Sequence, residues 1–226
     1  MAQMRAALRG LLAVALLAAA AGVPAQQARL LPVDEGAQDP NWMRFRARLL
    51  DALAGHDQKF VLGILDARVR NISGKDGIAE FRRLWEPQSA NSVLWSELAK
   101  VLFLGSVYVK RDNGESEVCA PYVYYQWPLD DAGDAYGAVI AKEALLKAKP
   151  AADAPTLKAL SYDLVKVLDW EVADEDKASK QKWVQVKTDA GAGYLPEEQV
   201  RSPLEYRACF ARQGAAWRLT GLEVGD

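Results

Sequence analysis

Residues 204–226 read LEYRACFARQGAAWRLTGLEVGD. Leu204, Tyr206, Ala208 and Phe210 recur at a period of two, Gln213-Gly214 offers a turn, and Trp217, Leu219 and Leu222 follow. That pattern predicts two strands joined as a hairpin. A lone two-stranded hairpin is marginal in water, so its edges must pair elsewhere in the chain. Working outward, a second hairpin is expected where residues 106–112 and 116–127 flank Asn113-Gly114, because both turn residues tolerate positive φ. In its second strand Val118, Ala120, Tyr122 and Tyr124 would share a face, and Pro121 implies an edge or a bulge. If the two hairpins pair, everything between them is an insertion. Cys119 lies in one hairpin and Cys209 in the other. A disulfide there would close the insertion into one covalent loop, with roughly 4–5 kcal/mol at stake in the chain-entropy picture; two separate buried thiols are the alternative.

Upstream the period is helical. Asp39-Pro40 starts a predicted helix, since Asp caps free N–H groups and Pro fits the first turn. Trp42, Phe45, Leu49 and Leu53 follow at spacings of three and four, and Gly55 ends it. Further helices are expected over 57–66, 76–86 (stopped by Pro87) and 92–104, with a short strand at 69–72 and an extended leader over 26–38. The first 25 residues have a cationic start (Arg5, Arg9), an apolar run from Leu11 to Val23 and a small-residue exit at Val23-Pro24-Ala25. These are the three parts of a secretory signal peptide, and the run falls short of the roughly 20 residues that a bilayer requires. An uncleaved anchor is the competing reading. The expected location is periplasmic or secreted, with no membrane attachment after cleavage, a compartment in which disulfides persist.

Composition narrows the chemistry. Half of the 226 residues are apolar and 26% are charged, the balance of a globular protein. Thirty acids against 28 bases give a net charge of -2 and no basic stripe, which argues against nucleic acid as a partner. One histidine and two cysteines exclude multi-ligand zinc sites, haem attachment and iron–sulfur clusters, and no cofactor or metal is expected.

Between the hairpins, Asp130, Asp131, Gly133 and Asp134 form a polar break. Only short strands are expected beyond it, at 137–141, 156–160, 164–168, 182–187 and 193–195, with a charged loop at 174–180. Such spacing reads as a small barrel. Leu146-Lys147-Ala148-Lys149-Pro150, Ala154-Pro155-Thr156 with Leu160-Ser161, Trp183-Val184-Gln185-Val186 and Gly193-Tyr194-Leu195 are similar to the successive strands of bacterial SH3-like domains. Lys147 stands where that family carries Arg. The resemblance implies a barrel over about 136–202 closed by Trp183 and Tyr194. Leu160-Ser161-Tyr162-Asp163, Arg201-Ser202-Pro203 with Tyr206-Arg207-Ala208, Ala120 to Tyr124, Leu94-Trp95 to Leu104-Gly105, and Trp217 to Asp226 extend a likeness to secreted bacterial proteins described only as SH3 domain-containing. The terminal strands also resemble those of cystatin-like and nuclear-transport-factor-like folds. The expected architecture is α+β: N-terminal helices with an antiparallel sheet (26–134), an inserted all-β SH3-like barrel (135–203), and a C-terminal hairpin (204–226) packing back on the first unit.

Candidate site residues are few. His56, between Gly55 and Asp57, has no triad or ligand partner in sequence and reads as a linker histidine. The acidic groups Asp130-Asp131-Asp134, Asp174-Glu175-Asp176 and Glu197-Glu198 lack calcium-loop spacing and read as solvated loops. Glu80 and Glu97 are candidates for a carboxylate acid/base pair, with helix surface as the plainer reading. Trp170, Trp183 and Tyr194 are the ligand-binding candidates, through aromatic stacking, against a core role for Trp183 and Tyr194. The expectation is a non-catalytic envelope protein that binds peptidoglycan, a peptide or a protein. A cell-envelope hydrolase with its carboxylates in the N-terminal unit is the alternative, and a purely structural scaffold is the third reading.

Overall fold

The computed structural model describes residues 28–112, 114–129 and 135–225. The signal segment, Asn113 and Asp130 to Asp134 therefore lie outside the described residues. Helix α1 (Pro40–Ala54) begins as its sequence dictates: the Asp39 carboxylate accepts from Asn41 N, and Gly55 follows the last turn. Its apolar stripe buries Trp42, Leu49 and Leu53. Asp57 caps α2 (Gln58–Gly63) by accepting from Phe60 N. Strand β1 (Leu65–Asn71), helices α3 (Ile78–Trp85) and α4 (Leu94–Phe103), and strands β2 (Val107–Lys110) and β3 (Ser116–Ala120) complete the first half.

The second half carries a one-turn helix α5 (Tyr122–Tyr125), then β4 (Tyr136–Val139), β5 (Ala144–Lys147), β6 (Thr156–Leu160), β7 (Leu164–Ala173), β8 (Lys182–Thr188), β9 (Gly191–Pro196), β10 (Val200–Arg201), β11 (Arg207–Gln213) and β12 (Ala216–Glu223). Two sheets result. The first has the order β1-β12-β11-β3-β2. The closing hairpin β11–β12 thus lies inside it, with β11 antiparallel to β3 and Cys209 directly opposite Cys119. The two sulfurs are bonded, and the Cα atoms stand 4.1 Å apart, the close spacing of a pair without mutual backbone hydrogen bonds. Trp42, Phe210 and Trp217 pack at 5.1 Å centroid distances from Trp42, at the heart of the core between α1, α4 and this sheet.

Three expectations are corrected. The first sheet is mixed: β1 runs parallel to β12, so Leu65 pairs with Leu219 and Asn71 with Leu222. The strand expected over 116–127 stops at Ala120, because Pro121 brings no N–H to the ladder, and Tyr122 to Tyr125 turn into α5. The inserted strands do not close a barrel. They form one open seven-stranded sheet, β10-β4-β7-β8-β9-β5-β6, with β10 and β6 at its edges. Its core is aliphatic, built from Val139, Leu146, Val165, Val184, Val186 and Leu195 among others.

A third apolar cluster joins the sheets. Val107, from the first, meets Ala138 and Leu164, from the second, around Tyr122, Val123 and Leu30. The leader is tied into this seam: Arg29 bridges to Asp163, and Leu30 N donates to Tyr162 O. Asp34 accepts from Ser106 N and Oγ and pairs with Arg46 at 2.8 Å. The segment expected as plain extended chain also contains a short 3-10 turn, Glu35–Gln38, with Gly36 buried.

Candidate functional site

Between α4 and the inserted sheet lies a cleft of about 760 Å³. Helix α4 supplies Glu97, Lys100 and Phe103 to one wall, and β7 supplies Trp170 and Glu171 to the other. The turn after β9 brings Glu197 and Glu198, β10 brings Arg201, and the link from β10 to β11 brings Leu204, Glu205 and Tyr206.

The position of Trp170 has a local cause. The β7–β8 register shifts between Val167 and Asp169 and again between Asp169 and Val172, and Glu171 takes φ 56°. Such bulges re-aim side chains. Trp170 ends against Gly137, where a Cβ would lie 3.4 Å from the indole Cη2 and 2.6 Å from Val200 Cγ1. It is therefore half core and half cleft wall.

Arg201 forms the polar base of the cleft, with 3% of its surface exposed. One guanidinium nitrogen donates to Tyr206 O at 2.7 Å, another pairs with Glu205 at 2.8 Å, and Nε has no partner among the described residues. Burial pushes the Arg201 pKa down, and Glu205 and Glu97 act against that shift. On the rim, Lys100 pairs with Glu97 at 2.7 Å and Lys182 with Glu171 at 3.4 Å. Glu197 is half-buried; burial, with Glu171 and Glu205 nearby, raises its carboxyl above the usual range.

Of the three aromatic candidates, only Trp170 borders the cleft. Trp183 is 2% exposed, and its indole N–H donates to Asp174 Oδ2 at 2.9 Å. Part of the charged loop is therefore structural: Asp174 satisfies a buried tryptophan. Tyr194 is half-buried on β9, and its hydroxyl accepts from Gln185 Nε2 at 3.1 Å. His56 is exposed and stacks on Trp95 at 4.9 Å in a separate hollow of about 440 Å³. Glu80 is held by Arg83 at 2.6 Å and by the Ser73 hydroxyl, far from Glu97 in role and surroundings. Glu117 approaches Cys119 and Cys209 closely enough to suggest a metal centre. The sulfurs are bonded to each other, however, and Glu117 already receives Arg70, Arg111 and Thr220, so this group does not fit a metal ion.

Sequence reasoning missed Phe103, Arg201, Glu205 and Tyr206 as cleft residues. Arg201 sits in the Arg201-Ser202-Pro203 motif, the one signal that marked it. No protein-family model, curated protein or solved structure matches this chain. No described helix is long and apolar enough to cross a membrane.

Proposed function

We propose that the protein is a non-catalytic binding module of the bacterial envelope, exported by residues 1–25. In this reading the inserted unit is an opened variant of an SH3-like domain, and its ligand lies in the cleft between that unit and α4. The observation that carries the reading is the cleft itself: apolar side chains from α4 (Phe103), the inserted sheet and its flank (Ile140, Trp170) and the link to β11 (Leu204, Tyr206) converge on it, while its buried Arg201 is already engaged by Glu205 and Tyr206. Concave apolar sites with a few fixed polar groups are where proteins hold ligands.

The hydrolase alternative finds less support. A general acid needs a carboxyl with a raised pKa; Glu197 in the cleft is shifted that way, but it belongs to the inserted unit, and in the N-terminal unit the Arg83 guanidinium and the Ser73 hydroxyl hold Glu80 down to about 2. Glu97 is ion-paired with Lys100.

The test is retention of the purified protein on insoluble peptidoglycan. Trp170→Ala is expected to abolish retention, and Tyr194→Ala, outside the cleft, to leave it intact. Retention no better than that of serum albumin removes the wall-binding form of this reading.

A further inference from the structure

Phe103 is the most exposed large apolar residue of the described chain, at 72%. Its own helix shows how unusual that is, since Leu94, Leu98, Val101 and Leu102 are all buried. Phe103 is also a shared wall. It borders the main cleft, the hollow beside His56 and Trp95, and a third hollow of about 310 Å³ lined by Pro32, Val33, Tyr122 and Ile140. An aromatic ridge standing between three depressions has the shape of an interface anchor: a large side chain, exposed in isolation, whose flanks are ready to be covered.

Charge selects the occupant. The main cleft carries Glu97, Glu171, Glu197, Glu198 and Glu205 against Lys100 and Arg201. Both cations are spent on Glu97 and Glu205, and Glu171 has Lys182. Glu198 accepts from Gln181 Nε2. The Glu197 carboxylate, half-buried beside Glu171 and Glu205, has no hydrogen-bond or ion-pair partner among the described residues; Lys182 and Lys100 act on it only from a distance and are paired with Glu171 and Glu97. An incoming cation there would relieve a like-charge crowd, whereas an incoming anion would add to it.

We infer that the Phe103 ridge and the adjoining cleft dock a basic, apolar segment of a partner protein, with Phe103 between its aliphatic side chains and a lysine or arginine at Glu197. This rests on the binding-module reading and names its partner class. Long basic side chains suit the site, because their methylene stems cover apolar wall while the charged end reaches the rim.

Titration calorimetry of the full chain with a short acetylated, amidated Leu–Lys peptide, with its Leu–Glu counterpart as control, tests the inference at two salt concentrations. The Leu–Lys peptide is expected to bind and the Leu–Glu peptide not to. Phe103→Ala is expected to weaken binding about tenfold without changing thermal unfolding, since the side chain is exposed in the free protein. Glu197→Gln is expected to weaken it several-fold and to flatten its salt dependence. Failure of the Leu–Lys peptide to bind, equal binding of the two peptides, or binding unaffected by Phe103→Ala overturns the inference. If peptidoglycan is retained through Trp170 while the peptide is not bound, the binding-module reading stands and this inference falls. If neither ligand binds, both fall.

Discussion

Replacing Cys119 and Cys209 together by alanine tests how the two ends of the molecule are held. The bond closes a loop with a sequence separation of 90. If the whole loop is unfolded in the reference state, losing the cross-link costs about 4.6 kcal/mol in the chain-entropy treatment. The inserted sheet has its own aliphatic core. Should it stay folded while the first sheet melts, it acts as a rigid strut, only about 20 connecting residues remain free, and the cost drops to about 3.3 kcal/mol. With a urea slope of about 2.5 kcal/mol/M, the midpoint should fall by about 1.3–1.8 M. The sulfur atoms also meet the Tyr125 hydroxyl at 2.9 Å from Cys209 Sγ. Tyr125→Phe, which keeps the bond, therefore serves as a control expected to lose about 1 kcal/mol or less. Equilibrium unfolding followed by tryptophan fluorescence and by far-ultraviolet circular dichroism supplies the assay. Coincident curves point to the larger figure and separated ones to the smaller. A double variant that loses less than about 1 kcal/mol would refute the reasoning, since no loop length in this chain gives so little.

Other consequences can be measured directly. Glu117 is buried and serves Arg70, Arg111 and Thr220, so Glu117→Ala should cost about 3 kcal/mol in urea unfolding; a loss under about 1 kcal/mol would show the network to be dispensable. Because the folded Glu80 carboxyl sits near 2 against an ordinary 4.5, its stabilising effect is complete above pH 4.5 and disappears as pH falls toward 2. Thermal melts of wild type and Glu80→Gln should accordingly converge at the acid end, and a gap that persists unchanged to pH 2 contradicts this. Burial lifts Tyr122 to about 12 from 10, so its contribution is present below pH 10 and lost as pH rises through 12. Ultraviolet titration of Tyr122→Phe should lack a late phenolate step. Gly105 has φ +72°, and a Cβ there would press on the Val33 carbonyl, whereas Gly74, at the same φ, faces open space. Alanine at Gly105 should cost clearly more than the roughly 1 kcal/mol expected at Gly74, and equal melting temperatures would discount the contact.

The helices were legible because burial and period coincide: Asp39-Pro40 caps α1, and Trp42, Leu49 and Leu53 recur on its inner face. The hairpin β11–β12 was legible for the same reason at period two. The strand expected at 69–72 marks only the end of β1; its start at Leu65 and its parallel pairing were not legible, because the buried positions Leu65, Val69 and Asn71 do not alternate cleanly and Asn71 is polar. Alternating tyrosines misled at 122–125, where Tyr122 and Val123 are buried from a helical turn rather than a pleat. The SH3-like strand pattern locates most of the inserted strands but says nothing of closure, which depends on whether β6 and β10 find each other across the sheet. Two of the three aromatic candidates lie away from the cleft, Trp183 for a simple reason: an indole N–H can be satisfied by an aspartate that sequence does not connect to it. The cleft is assembled from α4, β7, the turn after β9 and the link to β11, and no single stretch of chain announces it.

Strand β12, which lies between β1 and β11 in the first sheet, comes long after α1 in the chain, beyond the whole inserted sheet. Trp217 and Leu219, which cover Trp42 and pair with Leu65, can reach their places only after the inserted sheet has been made. At about 5–20 residues per second, the greasy stripe of the first helix stays uncovered for roughly 10–30 s. A nascent chain thus carries that stripe bare while the inserted sheet is made, and truncation before Trp217 would leave it bare for good.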